Sequence, residues 1–298
     1  ANLRSTRNYG HVTIDESCSI SASRTCIGGV LGGNDGTEER EGVLNKGNLY
    51  IGGNHTSPLC IGGIAGQCRH GARGWVNDGH IYLTGTSTQP FYVGGVVSMF
   101  VRHYAKTSSG KTSTVDEGTN GPMYDCVNNG NFYAQFPNST GSTLHIGGVC
   151  RQCQHTMSGC INNGNAFVTG SIGSTFYYGG LATANSACLR ENSVNNGNLT
   201  VSSPIIGTAN NGADCFLGGL CYSGGSNTTY SKCVNNGDIT IESNVKIANC
   251  TRIGGLIANV ETSGKTNIID ACENNGNILV KANTSAQSAG VARIGGMF

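Results

Sequence analysis

The sequence predicts an all-β fold: a parallel β-helix (β-solenoid) of about eight coils, disulfide-stapled. Two short motifs alternate along the whole chain, no segment sustains a helical period, and cysteine is abundant. The first motif has the form Val-Asn-Asn-Gly-Asn-Ile and recurs around Gly10, Gly47, Gly79, Gly130, Gly164, Gly197, Gly237 and Gly276. The second, Gly-Gly between apolar residues, recurs at Gly28-Gly29, Gly62-Gly63, Gly94-Gly95, Gly147-Gly148, Gly179-Gly180, Gly218-Gly219, Gly254-Gly255 and Gly295-Gly296. Copies are mostly 32–41 residues apart, with a stretch to 51 between Gly79 and Gly130. Such a fixed period marks a repeat architecture. Residues 1–298 therefore read as one array with a polar insertion loop near 102–122.

Each motif has a physical role. Asn-x-Gly reads as a turn, in which Gly takes positive φ without steric cost. A short alternating strand such as Asp238-Ile239-Thr240-Ile241 follows it. The first Asn is present in every copy (Asn8, Asn45, Asn77, Asn128, Asn162, Asn195, Asn235 and Asn274), while the middle position runs Tyr9, Lys46, Asp78 and then Asn. A fixed position beside a variable one predicts one side chain facing in and its neighbour facing solvent. Stacked inward amides can bond up and down the array as a ladder. Gly-Gly leaves room where the backbone bends or packs closely. One repeat cannot bury its own apolar face, so stacking must do so. Each repeat is expected to form one coil of roughly three strands; a β-propeller would need four-stranded antiparallel blades.

Cysteine spacing supports one coil per repeat. The chain has 14 cysteines and a single CxxC, Cys150/Cys153, which favours disulfides in an oxidising compartment over metal or redox chemistry. Cys26 and Cys60 each precede Ile-Gly-Gly, and Cys126/Cys160 and Cys233/Cys272 each sit two residues before the first Asn of a motif. Stacked one rung apart, these pairs fall within the ~4.4–6.8 Å Cα separation of a disulfide. Cys215 and Cys250 form a fourth candidate pair, nearly in register. Register leaves the connectivity of Cys18, Cys68, Cys150, Cys153, Cys188 and Cys221 open.

The alternation of Ile-Gly-Gly-Leu-x-Ala/Gly with Cys-x-Asn-x-Gly-x-Ile/Val, and Gly-Gly-Ile-Ala-Gly at Gly62–Gly66, resembles the GLUG-type repeats of secreted and surface-anchored microbial proteins. The resemblance spans nearly the whole chain. It implies a β-helical stalk outside the cell, in adhesins and related exported proteins, rather than an activity.

The remaining features narrow the function. Net charge is +1 with no basic stripe, which argues against nucleic-acid binding. No apolar run approaches the ~20 residues of a membrane span. No GxSxG, HExxH or phosphate-loop string is present, so no catalytic residue, metal ligand or cofactor is assigned. The densest carboxylates, Asp35, Glu38, Glu39 and Glu41 beside Arg40, read as a solvated loop, and His145 as a packed or surface residue. N-glycosylation acceptor triplets at Asn54, Asn138, Asn198, Asn227, Asn249 and Asn283 are as many as composition gives by chance.

The expectation is an extracellular or cell-surface structural or adhesive protein: a stalk, sheath or filament subunit, not an enzyme. The alternatives are a glycan-binding module using exposed aromatics such as Tyr92, Tyr177, Tyr178 or Phe216, and, less favoured, a carbohydrate-active β-helix enzyme. Two expectations stand for the ends: head-to-tail self-association, because stacking Phe298 onto a second copy would place Gly10 13 residues beyond Gly295, against the usual 17–22, or a fragment of a longer array.

Overall fold

The chain makes one full turn in each repeat. In the second repeat it passes through Leu44–Asn45, Leu49–Ile51, Asn54–His55, Leu59–Gly62, Ala65–Cys68 and Ala72–Arg73. It returns at Val76–Asn77, which pairs in parallel with Leu44–Asn45. The computed structural model describes residues 4–34, 40–68, 70–100, 104–108, 111–115, 121–136, 143–153, 155–185, 189–202, 205–206, 215–223, 227–247, 251–260, 266–282 and 292–297. Among these residues there is no helix, and the strands stack as a β-solenoid.

Five parallel sheets run the length of the array. The first carries the Asn motif in eight strands, from Arg7–Asn8 to Glu273–Asn274. The second has eight, from Val12–Ile14 to Ile278–Val280, and the third eight, from Thr25–Gly28 to Ala292–Gly295. The fourth (Leu31–Asn34 to Ile257–Asn259) and fifth (Arg40–Glu41 to Ile268–Asp270) have seven each. Five strands per turn replace the three expected, because strands of two residues are too short to show a period in sequence. The insertion near 102–122 contains an antiparallel hairpin, Tyr104–Ser108 against Lys111–Val115.

Two apolar columns fill the cross-section. One lies between the second and third sheets, with Leu49, Ile51, Leu59 and Ile61 and their equivalents in other turns. The other is lined by the fourth and fifth sheets and their corners, with Ile64, Trp75, Val96 and Tyr230. Between them the motifs meet. A Cβ on Gly63 would lie 2.4 Å from the Asn77 amide, one on Gly180 2.4 Å from Asn195, and one on Gly219 2.3 Å from Asn235. From Gly29 to Gly255, the second Gly of each Gly-Gly pair therefore packs directly on the motif asparagine that follows it in the chain. This contact explains why the two motifs occur as matched pairs.

The glycine of Asn-x-Gly has a different role from the one expected. None of these glycines is among the described residues with positive φ. They stack on one another instead: a Cβ on Gly79 would sit 2.0 Å from the Gly47 carbonyl oxygen, and one on Gly237 2.0 Å from that of Gly197. Positive φ falls three residues before the first Asn, at the corner between the fifth and first sheets. Ser5, Gly42, Gly74, Asp125, Gly159, Asn192, Lys232 and Ala271 occupy it with φ between 47° and 64°. L-residues such as Lys232 and Ala271 adopt this conformation at a cost of about 1–2 kcal/mol.

Candidate functional site: the ladders and an aromatic–arginine row

The first asparagines form a continuous chain of amides. Each Nδ2 donates to the Oδ1 of the next, from Asn8 to Asn274, at 2.7–2.9 Å. Each Nδ2 also donates to the carbonyl of its own motif glycine at 2.7–3.1 Å. Asn45, Asn77, Asn128, Asn162, Asn195 and Asn235 are fully buried. Buried amides are tolerated in a low-dielectric interior because their capacity is met. The ladder is polar, since every amide donates towards the C-terminal end.

Two more ladders flank it, and the sequence reading missed both. At the middle position, Asn129 donates to Asp78, Asn163 to Asn129, Asn196 to Asn163, Asn236 to Asn196 and Asn275 to Asn236, all exposed, at 2.8–3.0 Å. After the motif glycine, each backbone N–H donates to the side chain one turn earlier. These acceptors are His11, Asn48, His80, Asn131, Asn165, Asn198 and Asp238, at 2.7–3.0 Å. His, Asn and Asp can all fill that position because each offers an acceptor.

The cysteine pairs lie side by side. Cys26 is directly opposite Cys60. Cys126 and Cys160 precede paired Val127 and Ile161, and Cys233 and Cys272 precede paired Val234 and Glu273. The paired thiols are close enough to perturb one another's titration, and no disulfide is formed among the described residues. In the last pair the neighbouring Cys233 thiol holds the half-exposed Cys272 thiol down to about 7, while Cys272 and burial push Cys233 up. Burial, then Cys160, pushes Cys126 up. Cys215 stands opposite Thr251, one residue out of register with Cys250. Cys188 and Cys250 lie outside the described residues.

The outward positions of two sheets carry aromatic rows. On the second sheet Tyr50, Tyr82, Tyr133 and Phe167 stack face to face, with centroids 4.9, 4.8 and 5.3 Å apart. On the third, Tyr92, His145, Tyr177 and Phe216 occupy one register column, continued by Arg252. His145 lies 4.5 Å from Tyr177, and Tyr177 lies 5.4 Å from Phe216. Tyr222 leans on Tyr177 at 4.4 Å. The Arg151 guanidinium sits 4.0 Å above Tyr92 and that of Arg252 5.1 Å above Phe216. Burial, then the nearby Arg151 charge, holds the His145 imidazole well below its usual range, so it is neutral. Tyr178 does not belong to this face: strand alternation turns it into the core, 1% exposed. Phe216 is also largely covered, at 8%.

The other assigned residues are dispersed. Glu41 is exposed and lies 3.9 Å from Arg73; Asp35, Glu38 and Glu39 are outside the described residues. Among the described residues no three His, Cys, Asp or Glu side chains gather to hold a metal ion, and no helix is long and apolar enough to cross a membrane. Asn54, Asn198 and Asn227 are exposed and accept hydrogen bonds through Oδ1, so attachment at Nδ2 leaves those bonds in place. Asn138, Asn249 and Asn283 are outside the described residues.

These features define a β-solenoid repeat protein with polar ladders along one corner. No family model, no curated protein and no solved structure matches the chain.

Proposed function

We propose that this chain is an extracellular or cell-surface structural or adhesive protein, a stalk, sheath or filament subunit of eight disulfide-stapled coils. In this reading it resembles GLUG-type repeat proteins, is not an enzyme, and associates with itself head to tail. The polarity of the buried asparagine ladder carries the proposal: every amide from Asn8 to Asn235 donates to the next turn. The last of the ladder, Asn274 Nδ2, donates to Gly276 O and Gly296 O; a further turn of the same kind, supplied by a second copy, would accept that amide through its own asparagine in place of Gly296 O. Ile268, Leu279, Ile294 and Met297 are large apolar side chains exposed at 41–54%, a surface that a second copy could cover.

Analytical ultracentrifugation of the chain across a concentration series tests this. Head-to-tail rods that lengthen with concentration are expected, and Leu279→Lys with Ile294→Lys should stop their growth. A monomer at every concentration overturns self-association. Peptide mapping without reduction tests the staples: Cys26–Cys60, Cys126–Cys160 and Cys233–Cys272 are expected in material from an oxidising compartment.

The aromatic–arginine row favours a second reading, a glycan-binding surface. Phenol and imidazole edges beside guanidinium and amide groups offer many hydrogen-bonding partners along one line.

A further inference from the structure

We infer that the row on the third and fourth sheets binds an anionic polysaccharide, with Arg151 and Arg252 as the anchors. The inference rests on the glycan-binding reading and names the class of glycan. Three observations carry it.

First, the described strands of this surface carry charge of one sign. The described strands of the third and fourth sheets contain no Asp or Glu, while Arg151, Arg252 and Arg293 stand on them. Among the described residues neither Arg151 nor Arg252 is paired with a carboxylate. Arg151 donates to Gln152 Oε1 and Arg252 to Asn259 Oδ1, both neutral acceptors. A guanidinium held by neutral groups keeps its charge for an external anion.

Second, hydrogen-bonding capacity is left over at the same place. His145 Nδ1, Arg151 Nε and Arg252 Nε are buried with no protein partner, and His145 is 7% exposed. The imidazole is neutral, so it presents one donor and one acceptor rather than a further charge.

Third, the geometry suits a chain of sugars better than a nucleic acid strand. Arg151 on the fourth sheet and Arg252 on the third lie three turns apart, counted through Thr183, Tyr222 and Ala258, an offset of about 14 Å along the axis at about 4.8 Å per rung. A linear polyanion lying along the array can reach both. Sequence-tolerant binding of single strands relies on open aromatic faces for bases to stack on. Here the faces of Tyr177 are turned to His145 and Phe216, and Arg151 covers Tyr92. What remains accessible is ring edges and guanidinium groups, which recognise hydroxyls and anionic substituents.

The test is binding of the full chain to four immobilised probes: heparin, polygalacturonate, unsubstituted dextran and oligo(dT). Tight, salt-sensitive binding to at least one acidic polysaccharide is expected, with dextran and oligo(dT) at least about tenfold weaker. Arg151→Gln with Arg252→Gln should weaken acidic-polysaccharide binding about tenfold or more, whereas Arg73→Gln on the fifth sheet should leave it unchanged. Arg252→Gln alone leaves Arg151 packed on Tyr92 and should still weaken binding severalfold, which keeps the test decisive if the double variant does not fold. Equal binding by the arginine variants, or preference for oligo(dT), overturns the inference. Binding to dextran as tight as to the acidic probes overturns it while leaving the glycan reading intact. Binding to none of the polysaccharides overturns both.

Discussion

Replacing Asn235 by leucine should be among the most damaging single changes in the array. The Asn235 amide takes part in four hydrogen bonds. It accepts from Asn195 Nδ2 at 2.7 Å and from Gly237 N at 3.3 Å, and donates to Gly237 O at 3.0 Å and Asn274 Oδ1 at 2.8 Å. Leucine makes none of them. Asn195 Nδ2 retains its bond to Gly197 O, but the Gly237 N–H and one Asn195 proton lose their acceptor inside a buried site. Each unmade buried partner costs about 1–3 kcal/mol. The branched leucine tip is also forced against Gly219, where the amide already packs on the backbone. The expected loss is about 3–6 kcal/mol, a large part of the 5–15 kcal/mol that usually separates folded from unfolded. Asn236→Leu removes two bonds, to Asn196 and Asn275, but both are exposed and water replaces them. Its expected loss is below about 1 kcal/mol. Urea unfolding followed by circular dichroism measures both, and hydrogen exchange locates the opening, since repeat arrays melt in segments. Equal, small shifts for the two variants would refute the claim that the inner ladder supports the core.

Other outcomes follow from the same geometry. Gly219→Ala places a Cβ 2.0 Å from Gly255 O and should cost more than about 3 kcal/mol, whereas Gly33→Ala, with nothing within 4 Å, should be nearly neutral in thermal melts. Lys232→Gly relieves a φ of +53° at the recurrent corner and should stabilise by up to about 1 kcal/mol; destabilisation would mean that the conformation is not strained. In the reduced chain, Cys272 should be the fastest cysteine to alkylate. Because the thiolate is the nucleophile, its rate should rise as pH increases through about 7 and level off above, while Cys126 stays unreactive until the fold opens.

The sequence conveyed the repeat itself well, and its departures from the structure have particular causes. The recurrent first Asn pointed inward because a fixed polar residue beside a variable one implies burial, and Asn45 through Asn235 are buried. The motif glycine was legible as necessary but not for the right reason. A missing Cβ serves close stacking and positive φ equally well in sequence, and only the Gly47–Gly79 contact distinguishes them. The recurrent left-handed corner escaped notice because Gly42, Asp125, Lys232 and Ala271 share no side-chain chemistry. The middle-position ladder was hidden by Tyr9 and Lys46, which precede the run that begins at Asp78. Tyr178 was misplaced because Tyr177 and Tyr178 are adjacent, and only the register with Ile146 shows which of them turns inward. The aromatic–arginine row could not be assembled in sequence, since Tyr92 and Arg252 are joined only by stacking.

The central claim, a polar solenoid that continues from one copy into the next, is tested most directly by electron cryo-microscopy of native material. The account predicts filaments with a continuous layer line near 4.8 Å, the spacing of the stacked rungs. Discrete particles with no end-to-end contact, or filaments whose rung spacing breaks between copies, would contradict it.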